Sequence, residues 1–304
     1  MNKINVLLSH YNGSKFLRQQ LQSIFNQNNV EVTLNIRDDG STDSLSLKEL
    51  NNLDVEPSIN FSRGKNVGVV SSFFQLLADS DSCCEYFSFC DQDDVWVEGK
   101  LNRAVNELSK IESKEPAIYF SSVEFVDENL QRLGVSRHPK QLSFNNALVE
   151  NVAYGCTLVM NKAARNLILK HVPKNATMHD SWVYLVVSAF GRVIYDPAPS
   201  VQYRQHGGNV VGGQSNLFTS QIEKIMPFIM RLREDKIRLS DQVEEFLGVY
   251  GSALGQPKYA LANNFVSSKS SFLKRIKFVL SGECRREYWL DDLVYKLLII
   301  IGIY

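Results

Sequence analysis

A disulfide-type cysteine pattern, excess charge and long apolar runs are all missing from this sequence of 304 residues, and each absence removes a class of protein. The five cysteines (Cys83, Cys84, Cys90, Cys156, Cys284) are odd in number and show no zinc-type pair of spacings. Neither a disulfide framework nor a zinc module is expected, and a reduced, cytosolic compartment is. Lys plus Arg number 33 and Asp plus Glu number 33, so there is no electrostatic case for nucleic acid as a partner. No stretch approaches the ~20 apolar residues of a membrane-spanning helix. Met1–Ser9 enters a strand pattern directly, without the apolar region and small-residue cleavage site of a secretory signal. No internal repeat is present. The loop after the first strand, Ser9–Lys15, holds one glycine, whereas nucleotidyl transfer usually calls for a glycine-rich loop with basic residues there.

What is present is a packed-core composition, 44% hydrophobic with 11% aromatic, in a chain long enough for one large domain or one domain with an appendage. Residues 4–9 read as a buried strand, His10–Ser14 as an Asn-Gly turn, and Phe16, Leu17, Leu21, Ile24 and Phe25 follow helical spacing. Strands are expected at 30–37, 59–61 and 86–90, with helices at 44–53 and 69–77 between them. Strands alternating with helices predict a doubly wound, mixed α/β sheet with helices on both faces. Ligands bind such sheets beyond the carboxyl ends of the strands. Further on, 117–125, 158–160, 193–195 and 201–203 read as strands, with helices at 162–170 and 179–190.

Phe87 to Cys90 is an apolar run that ends in Asp91-Gln92-Asp93-Asp94-Val95-Trp96, three carboxylates within four residues. Like charges so close repel, and burying them unpaired is costly. A divalent cation with oxygen ligands, Mg²⁺ or Mn²⁺, is the natural relief. If Asp91 and Asp93 are still extended, both point to one side of the strand. A solvated acidic turn is the plainer reading.

Seven segments in order resemble the family 2 inverting glycosyltransferases of the GT-A type. They are Leu8–Gly13, Arg37–Asp43, Asn66–Gly68, Asp91–Trp96, Gly155–Thr157, His179–Trp182 and Tyr203–His206, together covering about residues 4–212. The Asp91–Trp96 and Tyr203–His206 forms look especially like bacterial rhamnosyltransferases of surface polysaccharide synthesis. The resemblance implies a nucleotide-diphosphate sugar donor contacted by Ser9, Tyr11, Asn12, Asp38, Asp39, Asn66, Gly68, Asp91, Gln92, Asp94 and Arg204. It implies a metal shell of Asp93, Asp91 and His206, and Asp180 as the base that deprotonates the acceptor hydroxyl. Many members of the family carry Glu-Asp where this sequence has His179-Asp180. Gly155, His179, Trp96 and Trp182 are candidate sugar or acceptor contacts, with core packing the alternative for both tryptophans. Plainer roles stand beside several others: Asp38 and Asp39 as turn caps, Tyr11 packed on the first helix, Arg204 covering the sheet edge, Asp180 as an N-cap.

Residues 1–215 are expected to form the catalytic domain and 216–304 a helical extension, with a long helix over 219–248 and a polar linker at 267–271. The glycine-rich stretch 207–213 is a candidate lid. In the tail, Phe272–Leu280 and Arg285–Trp289 interleave basic with apolar residues. That pattern points to peripheral contact with an anionic membrane surface, with internal packing or a homodimer contact as alternatives. The expected activity is transfer of L-rhamnose from dTDP-rhamnose to a glycan on a polyprenyl-diphosphate lipid, in O-antigen or capsule synthesis, at the cytoplasmic face of the plasma membrane. UDP-hexose or UDP-N-acetylhexosamine donors remain open. The reading from another class is a non-catalytic, metal-dependent glycan-binding or assembly protein.

Overall fold

The computed structural model describes residues 1–43, 58–206 and 237–304. The expected helix at 44–53, the glycine-rich 207–213, the first part of the expected 219–248 helix and the expected 215/216 boundary lie outside them. The described elements begin β1 (Asn2–His10), α1 (Ser14–Phe25), β2 (Val30–Asp38), β3 (Ser58–Arg63), α2 (Val69–Ala78), β4 (Tyr86–Cys90), β5 (Val95–Trp96) and α3 (Lys100–Leu108). Next come β6 (Ala117–Val126), β7 (Arg132–Val135), α4 (Phe144–Ala147), β8 (Val159–Asn161), α5 (Lys162–Ile168), α6 (His179–Phe190) and β9 (Arg192–Arg204). Four helices close the chain: α7 (Leu239–Tyr250), α8 (Gln256–Ser267), α9 (Phe272–Ser281) and α10 (Trp289–Ile301).

Two compact units result. Of the described residues, the first takes 1–43, 58–138, 153–170 and 191–206; the second takes 139–152, 171–190 and 237–304. The first unit holds a sheet in the order β3-β2-β1-β4-β8-β6-β9-β5, with β7 on β6. β1 to β4 run parallel, and β8 is antiparallel to both β4 and β6. The period-two alternation of strands divides the side chains between two faces. Ile4, Val6 and Leu8 of β1 pack in one core with Leu17, Leu21 and Ile24 of α1 and with Leu101, Val105 and Leu108 of α3. Phe87 and Phe89 of β4 point the other way: Phe89 meets Phe73 of α2 with ring centroids 5.1 Å apart, and Phe87 lies under Arg165 of α5. This is the mixed, doubly covered α/β sheet that the alternation predicts.

Two details differ from expectation. The strands expected at 193–195 and 201–203 are one element, β9, whose register on β6 breaks between Ser121 and Val123. Pro197 and Pro199 cannot donate to the ladder, so the chain loops out there, held by the Asp196 carboxylate accepting from the Ala198 N–H at 2.8 Å. The two-residue β5 and four-residue β7 are too short to leave a periodic signal.

In the second unit α6 is the buried centre. Trp182 is enclosed, with the rings of Phe246 and Tyr250 of α7 at 6.4 and 6.3 Å. Gln242 of α7 donates to the Ser181 hydroxyl at 3.1 Å, and Lys258 of α8 caps the carbonyl end of α6 at Ala189 at 2.5 Å.

Candidate active site

Sheet register brings the expected site loops level with one another. His10 pairs with Asp38 and Asp38 with Arg63, while Leu8 pairs with Cys90, so the segments after β1, β2, β3 and β4 leave one edge of the sheet side by side. Cross-loop hydrogen bonds then fix them. Asn12, in the left-handed region at φ +49°, accepts from the Thr42 N–H at 2.8 Å and gives its own N–H to the Ser41 hydroxyl at 3.0 Å. Gln92 clamps Tyr11 from both sides, accepting from its N–H at 2.8 Å and donating to its carbonyl at 3.0 Å. A Cβ on Gly13 would lie 2.1 Å from the Gln92 amide carbon, so only glycine lets that clamp close. Ser9 is tied to Ser72 of α2 at 2.6 Å, and the Tyr11 ring is left 46% exposed.

Asp38 and Asp39 are both buried and both hold loops. Asp38 accepts from the Ser41 N–H at 2.8 Å and pairs with Arg63 at 3.2 Å. Asp39 pairs with Arg37 and accepts from the N–H groups of Val67 and Gly68 at 2.9 and 3.0 Å, which anchors the 64–68 loop. Asn66 also accepts from Gly68, at 3.2 Å. Gly40 sits at φ +81° with the position of a Cβ only 2.8 Å from the Asn66 nitrogen, so the two loops touch through glycine.

The acids after β4 fall into two groups. Asp93 pairs with His206 at 2.8 Å, and the His206 ring rests on Phe16. Asp91, Asp94 and Cys156 each offer a ligand atom, and those atoms lie within 4.8 Å of one another. Asp94 is buried, and burial together with the charges of Asp93 and Asp91 pushes its carboxyl well above the usual carboxylate range. Burial likewise raises the Cys156 and Cys90 thiols well above theirs. Carboxylate oxygens and one imidazole are a donor set suited to a hard divalent cation, whose charge would offset that repulsion. Gly155 and Cys156 occupy a buried turn, Gly155–Thr157, just before β8. Cys156 is a member of the acid cluster that the sequence marked only as part of the Gly155–Thr157 motif.

Arg204 braces this loop from beneath. It is buried, gives its Nε–H to the Asp93 carbonyl at 2.8 Å, reaches Gln19 at 2.8 Å and the Glu128 carbonyl, and stacks over Phe16. Its backbone N–H donates to Asp94 at 3.1 Å. Trp96 is core, and over its ring at 3.6 Å sits the ammonium of Lys100, which also donates to the Ser88 hydroxyl at 3.1 Å. Lys100 went unnoticed in the sequence because a lysine opening a helix is normally solvated.

Burial lowers the Lys100 ammonium to about 8 from 10.5, against the opposing pull of Cys90, Cys156 and Asp94. Between those two values the unfolded chain holds the extra proton, so this residue makes stability climb as pH rises from about 8 to 10.5. At pH 7 the buried charge costs about 3 kcal/mol, partly offset by the ring contact, which contributes about 1 kcal/mol. Lys100→Met, of similar length, is therefore expected to stabilise the protein by about 1–2 kcal/mol at pH 7. Melting curves at pH 7 and 10 should show the gain shrinking at the higher pH; a large loss at pH 7 would contradict this.

Asp180, His179 and Trp182 belong to the second unit. Asp180 lies in the first turn of α6, where the helix N-terminus favours negative charge, and its carboxylate accepts from the Ser181 N–H at 2.7 Å. Trp182 takes the core alternative. His179 is buried, and burial alone drives its imidazole down to about 3 from 6.5, so it is neutral at pH 7. As pH falls below 6.5 the unfolded chain takes up this proton first, and stability is lost between 6.5 and about 3. The loss reaches about 2 kcal/mol by pH 5. Melting temperature followed from pH 7 to 5 should fall less steeply in His179→Gln than in the native chain; parallel slopes would contradict the assignment.

A mixed α/β sheet with acids at the end of its fourth strand is a GT-A-like fold. The Glycosyl transferase family 2 profile matches residues 5–167, and this chain belongs to that family. It is 30% identical over 220 residues to the dTDP-rhamnosyl transferase RfbG of Shigella flexneri, covering 67% of this chain and 73% of that one. Among solved structures it resembles S. aureus TarS residues 1–349 in complex with UDP-GlcNAc, with TM-score 0.58, 14% identity, and 99% and 91% of the two chains covered. It also resembles the mannosyltransferase PcManGT of Pyrobaculum calidifontis in complex with GDP-Man and Mn²⁺, with TM-score 0.50, 14% identity, and 98% and 86% covered. At such identities the two structures bear on the fold alone. Among the described residues no helix is long and apolar enough to cross a membrane.

Proposed function

We propose that this glycosyltransferase moves L-rhamnose from dTDP-rhamnose to a hydroxyl of a growing bacterial surface glycan, such as O-antigen or capsule, carried on a polyprenyl-diphosphate lipid at the inner face of the plasma membrane. The observation that carries the donor is the likeness to the dTDP-rhamnosyl transferase over two thirds of the chain. The strand-end loops supply the donor site: the exposed Tyr11 ring is free to stack on the base, Asp38 or Asp39 meets the base imide N–H or the ribose, and Ser9, Asn12, Asn66, Gly68 and Gln92 shape the floor. Asp91, Asp93 and His206 hold a divalent cation, Mn²⁺ or Mg²⁺, with Asp94 beside them. When bound, it neutralises charge developing on the departing diphosphate. Asp180 accepts the proton of the acceptor hydroxyl as its oxygen bonds to the anomeric carbon and the carbon–phosphate oxygen bond breaks, a single displacement that inverts configuration.

Thymine and uracil present the same hydrogen-bonding edge, so the donor must be decided by measurement. Thermal stabilisation against a panel of nucleotide sugars with Mn²⁺, Mg²⁺ or chelator does this, because a ligand of the native state raises the melting temperature. A metal-dependent shift with dTDP-rhamnose is expected. A shift with UDP-hexose or UDP-N-acetylhexosamine alone would keep the reaction and overturn the donor. No shift with any nucleotide would favour the non-catalytic glycan-binding reading.

A further inference from the structure

The last two helices carry an apolar surface that nothing in the transferase site uses. On α10, Trp289, Leu293, Leu297 and Ile301 recur at every fourth residue and are 73%, 50%, 51% and 63% exposed. That spacing puts them on one side of the helix. The opposite side, Tyr295, Leu298 and Ile299, is buried. Asp291 and Asp292 of α10 lie off the exposed stripe while Lys296 borders it, and Asp292 is closed by Lys296 at 2.6 Å. Beside it, α9 exposes Leu273 and Leu280, 77% and 79%, two turns apart, with the exposed Lys277 between them. The two helices pack on each other, and Arg275 of α9 donates to the Ile301 carbonyl at 3.3 Å. The charged residues of α9 are Lys274, Arg275 and Lys277, with no acid among them. Glu287, the acid just before α10, is engaged by the N–H groups of Lys140 and Gln141 at 2.7 and 2.8 Å.

We infer that the α9–α10 face seats this enzyme on an anionic phospholipid surface. A stripe of four large apolar side chains on α10, with two more exposed on the helix packed against it, marks a contact surface rather than scattered exposure. The lysines select between occupants. A second copy packed about a two-fold axis would bring Lys277 and its mate into an apolar contact, where lysine is depleted. At a lipid surface the apolar stems lie along the acyl boundary while the ammonium groups reach the phosphates. The proposal gives the lipid-linked acceptor reading a docking surface, and it rests on that reading only for its purpose.

The test is co-sedimentation of the full chain with vesicles of mixed phosphatidylglycerol and phosphatidylcholine, or of phosphatidylcholine alone. Nucleotide-sugar affinity and sedimentation velocity are measured on the same samples. The native protein should pellet with the anionic vesicles and bind them roughly tenfold or more better than the neutral ones. Leu293→Gln with Leu297→Gln, and separately Lys274→Glu with Lys277→Glu, should each cut anionic binding by roughly tenfold. Melting temperature and donor affinity should not change. Equal binding to both vesicles, or binding indifferent to both pairs of substitutions, overturns the proposal. So does a native protein that stays in solution. If that protein is a dimer that the leucine pair dissociates, the face belongs to a second copy. Loss of donor binding in the native chain would count against the transferase reading and leave the vesicle result intact.

Discussion

Asp180→Asn is expected to lower kcat by about three orders of magnitude while leaving donor affinity and folding almost unchanged. A positioned general base contributes roughly 10²–10⁴-fold, and asparagine keeps the size and the acceptor oxygen but cannot take the proton. The hydrogen bond from the Ser181 N–H can persist, so the start of α6 should hold and the melting temperature should move by little. The proposed donor contacts are all other residues, Ser9, Tyr11, Asn12, Asp38, Asp39, Asn66, Gly68 and Gln92, and the substitution leaves each of them in place. Initial rates at saturating donor, with the nucleotide-sugar thermal shift measured beside them, separate the two effects. Turnover within a few-fold of the native rate would end the assignment of Asp180 as the base and return it to a helix cap.

Asp93→Asn should be nearly as damaging, for a different reason. Asp93 supplies a half-buried carboxylate paired with His206 at 2.8 Å. Its amide loses the charge that a cation needs and weakens the tie to the imidazole together. Activity at fixed metal should fall by about 10²–10³-fold, because charge stabilisation of the leaving group contributes several kcal/mol. Part of the loss should return as Mn²⁺ is raised, which marks it as lost metal affinity. His206→Gln should weaken Mn²⁺ activation more than Mg²⁺ activation, since imidazole suits the former better. Metal titrations of initial rate check all three statements. Unchanged half-saturation for the metal in Asp93→Asn would move the cation to Asp91, Asp94 and Cys156, whose ligand atoms already lie together.

Much of the first unit was legible because its signals are local. The buried run of β1, the Asn-Gly turn after it and the acids after β4 each announce a strand end, and parallel register lines those ends up. The internal fates of charged residues were not legible. Arg204 reads as a phosphate ligand or an edge residue by type, yet its guanidinium is enclosed under the acid loop, and Lys100 is enclosed against Trp96. Whether a long cation is solvated depends on what the rest of the chain stacks above it, which no window of sequence holds. Trp96 and Trp182 pose the same problem, and both resolve as core. The discontinuous second unit is a third case. Helix α6 reads only as a helix, and its packing on α7 was not legible because Trp182 finds Phe246 and Tyr250 more than sixty residues away. A bend such as that in β9 is legible only in hindsight, from two prolines that break one strand into two apparent ones.

Calorimetric titration of dTDP-rhamnose into the native chain, first with Mn²⁺ and then with chelator, is the most direct test of the central claim. That claim is that the strand-end loops and the acids after β4 form one metal-assisted nucleotide-sugar site. Binding should be saturable with Mn²⁺, weaken by at least roughly tenfold with chelator, and weaken to the same extent in Asp93→Asn with Mn²⁺ present. Affinity that is identical with and without metal, or no binding to the folded protein in either condition, would contradict it.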